Sequence, residues 1–186
     1  MTEPFPDELT DAPSVVVERF DRSLHDISHF SCGEPSLDAY IHRMLERDEL
    51  DRTAVAYVLV RRTDAAPVRR VLGYFTISSY SFSKRQARRR DRDRYLGAYD
   101  PVPAILIGRL ALDTNYQGRG LGVELLVAAL NEALAVSQQL GATAVVVHAL
   151  HEHAATFYQH HGFTRFRDML NHLYVPLETF VQGLRA

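Results

Sequence analysis

Three glycines, Gly118, Gly120 and Gly122, alternate through the stretch "NYQGRGLGVELL" that begins at Asn115. Glycine-rich loops ahead of a helix bind anions. The missing Cβ lets a ligand approach the backbone, successive N–H groups converge on it, and the helix N-terminus adds partial positive charge. Arg119 adds a full one. Two common phosphate loops are excluded by the residues that follow. A mononucleotide P-loop needs Lys and then Ser or Thr after its last glycine, but Gly122 is followed by Val123 and Glu124. A dinucleotide fingerprint needs G-x-G-x-x-G and an acid about 20 residues on. Here the third glycine falls one residue early, and "LGATAV" around Ala142 holds no acid. On its own, the loop is either an anion site or a tight strand-to-helix connection.

Other reactive side chains exclude more than they assign. His148, His151, His153, His160 and His161 lie close together, but no H-E-x-x-H occurs. His153 and His160 are two helical turns apart, about 10.5 Å along the axis, too far to share one zinc ion. No metal site is expected. Cys32, the single cysteine, forms no internal disulfide and has no identifiable His or acid partner, so it reads as a small buried side chain. No G-x-S-x-G is present, which excludes a hydrolase nucleophile elbow.

The strongest charge feature is "KRQARRRDRDR", Lys84 to Arg94. It carries seven basic and two acidic side chains, a local excess of five positive charges in a chain whose net charge is -2. Lys84, Arg85, Arg88, Arg89, Arg90, Arg92 and Arg94 form a basic arm, diluted by Asp91 and Asp93, that suits a polyanion or a solvated loop.

Those residues need a frame. A chain of 186 residues, 46% hydrophobic and 24% charged, suggests one soluble domain over 15–186 after a flexible acidic tail at 1–14. The tail has neither the basic nor the apolar region of a secretory signal, and no apolar run reaches the ~18 residues of a membrane span. A cytoplasmic location and no membrane partner are expected. "VVVERF" from Val15, "AVAYVLVRR" from Ala54, "VRRVLGYFTISSYSF" from Val68, "AILIGRLALD" from Ala104 and "AVVVHA" from Ala144 read as strands. "FTRFRD" and "LYVPLE" read as two closing strand-like segments. Turn chemistry falls at Asp64. Helical periodicity covers Asp21–Asp51 with a break at "SCGEP", then Leu121–Leu140 and His153–His160, with Gly141 and Gly162 as stops. The order predicts an α/β (α+β) fold: a mixed sheet of six to seven strands with an antiparallel first half and a strand–helix–strand crossover in the second, flanked by about four helices.

"QGRGLG", Gln117 to Gly122, matches the Q/R-x-x-G-x-G/A signature of the GNAT N-acetyltransferases. "FSCGEPSLDAYI" from Phe30, "LGYFTISS" from Leu72, "PVPAILIGRLALDTNYQGRGLG" from Pro101 and "AATFYQHHGF" from Ala154 resemble one branch of that superfamily. These are the toxin acetyltransferases of bacterial toxin–antitoxin modules, which acetylate the amino group of aminoacyl-tRNA. The resemblance implies a GNAT fold whose middle two parallel strands splay apart to admit acetyl-coenzyme A as co-substrate. It implies that the backbone of Leu110, Ala111 and Leu112 pairs with the pantetheine arm. Gln117, Gly118, Arg119, Gly120, Leu121 and Gly122 would hold the pyrophosphate, and Tyr158 would act as the general acid that protonates the departing thiolate. The basic arm would then meet tRNA phosphates. An α-amino group has an unperturbed pKa of roughly 7.7–8, so a dedicated base is not required.

The same resemblance implies a ribbon-helix-helix antitoxin and a homodimer. Two other readings stay open on the residues alone. One is an acetyltransferase of the same fold acting on a small amine or a protein. The other is a non-catalytic module that binds coenzyme A or nucleic acid.

Overall fold

The computed structural model describes residues 14–62 and 66–184. Residues 1–13 of the expected tail, and the turn expected at Asp64, lie outside the described residues. In chain order the elements are β1 (Val15–Arg19), β2 (His25–Asp26), α1 (Pro35–Arg43), α2 (Leu45–Leu50), β3 (Val55–Arg61), β4 (Arg69–Arg70) and β5 (Gly73–Phe82). Then come α3 (Arg89–Arg94), β6 (Val102–Leu112), α4 (Leu121–Leu140), β7 (Ala144–His148), α5 (Glu152–His160), β8 (Thr164–Arg165), β9 (His172–Pro176) and α6 (Leu177–Leu184).

The main sheet has seven strands in the order β1-β3-β5-β6-β7-β9-β8, and β2 pairs with β4 beside it. Every pairing in the main sheet is antiparallel except β6 with β7. This is the expected mixed sheet. α4 spans the expected residues and ends at Gly141, whose φ of +73° turns the chain into the left-handed conformation.

Three local readings change. Asp21 to Phe30 is not helical. Asp21 accepts from Ser23 N–H at 2.8 Å and Asp26 from Ser28 N–H at 2.9 Å, so their carboxylates close turns that compete with a helix. The strand expected from Val68 begins at Gly73, because Arg69 and Arg70 pair with β2 instead. The closing "LYVPLE" divides at Pro176, where β9 ends and α6 begins. With α3, this raises the count to six α-helices among the described residues.

Side-chain alternation distributes the core to both faces of the sheet. Phe75, Ile77, Ile105 and Ile107 meet Leu121, Leu125, Leu126 and Ala129 of α4. By length and composition α4 could cross a membrane, yet this apolar face packs on the sheet. On the opposite face, Val58, Val60 and Tyr74 pack under Tyr40, Ile41 and Leu45 of α1 and α2, and Phe82, Val102 and Tyr174 pack under Ala87 and Leu96.

β6 carries one irregularity. Thr76 opposes Arg109 and Ile77 opposes Ile107, so Gly108 is an extra residue in the strand. Before it, Ile105 and Ile107 face α4; after it, Leu110 and Leu112 do. Arg109 is thereby turned to the opposite face, where its guanidinium lies 4.3 Å from the ring centre of Tyr40.

Candidate active site

β6 and β7 pair only from Ala104–Ala144 to Ile107–Val147. Beyond that point β6 continues for five more residues, while β7 ends at His148 and the chain turns towards α5. Leu110, Ala111 and Leu112 pair with Phe75, Tyr74 and Gly73 of β5 on one side only. On the other side opens a cleft of about 400 Å³, lined by Ile107 to Leu112, Cys32, Glu34, Gln117, His148, His151 and Tyr158. The splayed pair and three expected strand residues therefore sit together with the expected tyrosine.

The glycine loop lies at the far end of this gap. Asp113 accepts from Asn115 N–H at 2.9 Å and starts a single 3₁₀ turn over Thr114–Tyr116. Gly118 and Gly120 then take φ of +74° and +81°, a conformation L side chains resist. The backbone N–H groups of Gly118, Arg119, Gly120, Leu121 and Gly122 have no acceptor among the described residues. They form a run of free donors at the start of a 20-residue helix. A Cβ on Gly122 would meet no atom within 4 Å, and its φ needs no glycine, so nothing inside the chain requires glycine there.

Gln117 has a different part. Its Nε2 donates to the carbonyls of Cys32 at 3.0 Å and Leu112 at 2.9 Å, so the side chain ties the loop to β6 and to the segment before α1. Leu121 is fully buried, leaving only its N–H towards the loop. Arg119 is exposed and rests on the ring of Tyr116.

Tyr158 is 8% exposed and projects from α5 between Phe157 and Phe163. Its hydroxyl makes no hydrogen bond among the described residues, and it is not sealed from the cleft. Burial pushes its pKa up to about 12, so the phenol stays protonated at neutral pH. Cys32, also in the cleft wall, is pushed to about 11 by burial, which suits an inert thiol. His148 packs against His172, with ring centres 3.9 Å apart, and against Tyr80 at 5.5 Å. Loss of surrounding water, then the nearby His172 and Arg109, lower its pKa to about 4. It is neutral at physiological pH and a poor base. The histidine cluster supplies no metal site: no group of three potential ligands occurs among the described residues.

The basic arm is folded onto the sheet. Asp91, 5% exposed, accepts from the Tyr174 hydroxyl at 2.6 Å, and that hydroxyl accepts from Arg88 N–H at 2.9 Å. Arg92 donates to the carbonyls of Ala87 at 2.9 Å and Arg85 at 2.6 Å, and Lys84 donates to the carbonyl of Gly97. Arg90 reaches Asp91 at 3.3 Å and Arg94 lies over Tyr95. Arg85, Arg88 and Arg89 are exposed and their guanidiniums are unpaired among the described residues. The seven cations are thus of two kinds. Lys84 and Arg92 are spent on holding the segment, and Asp91 anchors it rather than diluting its charge.

Two features were missed. Arg109 enters the cleft wall, and a charged residue inside the otherwise apolar "AILIGRLAL" was the available signal. Glu34 and His151 meet across the cleft at 3.1 Å. His151 Nδ1 accepts from Ala154 N–H, so Nε2 donates to the carboxylate. These residues are 117 positions apart, and no sequence pattern announces the contact.

The acetyltransferase (GNAT) domain model matches residues 56–165, more than half of the chain. A protein of Mycobacterium tuberculosis named tRNA-acetylating toxin is 37% identical over 138 residues, which are 74% of this chain and 78% of that one. Among solved structures, AtaT complexed with acetyl-methionyl-tRNAfMet is similar with a TM-score of 0.82 at 29% identity, covering 93% of this chain and 100% of that chain. A tyrosine-to-phenylalanine mutant of the AtaT toxin, bound to the C-terminus of the antitoxin AtaR and acetyl-CoA, has a TM-score of 0.77 at 28% identity, covering 93% and 99%.

Proposed function

The chain belongs to the acetyltransferase (GNAT) family, and on that premise we propose that it transfers the acetyl group of acetyl-CoA to the α-amino group of an aminoacyl-tRNA and so blocks translation. The observation that carries the reading is the gap between β6 and β7, which leads from five free backbone N–H groups to a buried, protonated tyrosine. The relative named tRNA-acetylating toxin and the AtaT complexes with acetyl-methionyl-tRNAfMet and with acetyl-CoA support the substrates.

The residues fit acetyl-CoA as co-substrate. The N–H groups of Gly118 to Gly122 suit its pyrophosphate, and the open side above Gly122 leaves room for close approach. The edge of Leu110 to Leu112, which no strand pairs and where Gln117 takes only the Leu112 carbonyl, suits an extended pantetheine arm, which adds to the sheet as a strand would. No metal is needed.

Transfer moves one proton overall. The acceptor nitrogen bonds to the acetyl carbon, the C–S bond breaks, the nitrogen sheds a proton and the sulfur gains one. Tyr158 holds a hydroxyl for the departing sulfur. Its raised pKa keeps the phenol protonated at neutral pH, so a proton is in place when the C–S bond breaks. Because an ordinary thiol, at roughly 8.5, is the stronger acid, that transfer is completed only together with the proton released by the nitrogen. The proton shed by nitrogen restores the phenol. His148 is too weakly basic to deprotonate an ammonium, so the acceptor arrives as a neutral amine.

The exposed face of Arg85, Arg88 and Arg89 suits phosphates of the tRNA acceptor stem, through charge with little sequence reading. Tyr174, which anchors this face, is two residues from His172, which packs against His148 in the cleft wall. An antitoxin partner belongs to the same reading, as the AtaT–AtaR complex suggests. So does action in the cytoplasm, where aminoacyl-tRNA is found.

The test is incubation with acetyl-CoA and mixed aminoacyl-tRNA, followed by identification of N-acetylated aminoacyl esters. Acetylation of free amines or proteins with none of aminoacyl-tRNA would overturn the acceptor and leave the family unchanged.

A further inference from the structure

We propose that Arg61 and Arg119, both gathered on the ring of Tyr116, form a second anion site that takes the 3′-phosphate of the coenzyme, apart from the backbone loop that receives its pyrophosphate. The inference rests on the reading of acetyl-CoA as co-substrate.

Tyr116 is 8% exposed and therefore a fixed platform. Arg61 reaches it from the end of β3. Its Nη2 donates to the Tyr116 hydroxyl at 3.2 Å, and its guanidinium carbon lies 5.6 Å from the ring centre. Arg119 reaches the same ring from inside the glycine loop, 5.9 Å from its centre. Both side chains are exposed, and neither has a carboxylate partner among the described residues. Arg69 and Arg70 are different: Glu18 neutralises the first, and Asp113 meets the second at 3.6 Å. Two guanidiniums on one ring, with no acid of their own among the described residues, repel each other and are relieved by an added anion.

The chemistry selects a phosphomonoester. At neutral pH such a group carries about −1.5 to −2 charge and three acceptor oxygens. Guanidinium forks match that geometry, whereas neutral N–H donors suffice for a pyrophosphate whose charge is spread over two phosphorus centres. The loop supplies the N–H donors, and the Tyr116 platform supplies the two forks. Arg61 lies 55 positions before Tyr116, so no loop motif contains it.

Titration calorimetry compares acetyl-CoA with acetyl-dephospho-CoA, which lacks only the 3′-phosphate, on the wild-type chain, Arg61→Gln and Arg119→Gln. Adenosine 3′,5′-bisphosphate serves as a probe without a thioester. The wild type is expected to bind acetyl-CoA at least about tenfold more tightly than the dephospho form, as a charge-assisted contact commonly gives. Arg61→Gln is expected to remove most of that preference while leaving affinity for the dephospho form unchanged. Equal binding of the two by the wild type, or a preference that survives in both variants, overturns the site but leaves acetyl-CoA as co-substrate. Failure to bind either compound overturns the co-substrate reading itself. Circular dichroism and thermal unfolding confirm that each variant is folded.

Discussion

The Tyr174 hydroxyl donates to Asp91 Oδ2 at 2.6 Å and accepts from the backbone N–H of Arg88 at 2.9 Å, so one buried tyrosine of β9 holds both the first turn of α3 and its acid. Burial and the adjacent carboxylate push the tyrosine pKa up, and the proton stays in the bond. Tyr174→Phe leaves a buried carboxylate without its strongest donor, at a cost of about 1–3 kcal/mol. The KM for aminoacyl-tRNA is expected to rise while the KM for acetyl-CoA is unchanged. A variant with both constants unchanged would show that the anchor does not shape the tRNA face.

The two kinds of cation separate by salt dependence. Arg89→Gln is expected to lower the slope of log affinity for tRNA against log salt by roughly 0.7–0.9, since each phosphate contact releases counterions. Arg92→Gln removes donors to Ala87 and Arg85 carbonyls and is expected to lower stability first. Equal slopes for wild type and Arg89→Gln would remove that residue from the interface.

Tyr158→Phe deletes a hydroxyl that bonds to no described residue, so the melting temperature is expected to hold. Turnover is expected to fall on the order of 10²–10⁴, the usual worth of a positioned acid. Single-turnover kinetics with saturating acetyl-CoA measures this directly, and wild-type turnover would remove the assignment.

Gly122→Ala separates stability from binding. Its added methyl meets nothing within 4 Å and sits in helical backbone, where alanine is up to about 1 kcal/mol better than glycine. The variant is expected to melt at or above the wild-type temperature and to bind acetyl-CoA more weakly. Undiminished binding by calorimetry would mean that the coenzyme does not approach this position.

The lowered pKa of His148 gives a signed pH dependence. The unfolded side chain takes up a proton near 6.5, while the folded one does so only near 4. Its contribution to stability is therefore complete above about 6.5 and is lost as pH falls towards 4. Denaturant unfolding across that window is expected to show a shallower decline for His148→Gln than for wild type. Parallel declines would mean that His148 titrates alike in both states.

Much of the frame was legible because local rules and global fold agree in it. Leu121 to Leu140 shows helical periodicity and a glycine stop, and it forms that helix. The loop was legible because Gly118 and Gly120 need a backbone conformation few residues adopt. The site's cross-connections were not. Asp91 looked like a surface acid in a basic run, because only the fold brings Tyr174, 83 positions away, beneath it. Glu34 with His151, and Arg61 with Tyr116, are likewise products of topology. Asp21 to Phe30 misled because its side-chain turns resemble helix-compatible sequence until their hydrogen bonds are seen.

The bulge at Gly108 means that β6 is read in two phases. Its first half sends odd-numbered residues to α4 and its second half even-numbered ones. Pairing Gly108 as an ordinary strand residue would do more than lengthen the ladder. It would put the second half in phase with the first, drive the Arg109 guanidinium into the apolar layer under α4 and expel Leu110 and Leu112 from it. The strand's one arginine is tolerated in the middle of the sheet because a glycine precedes it.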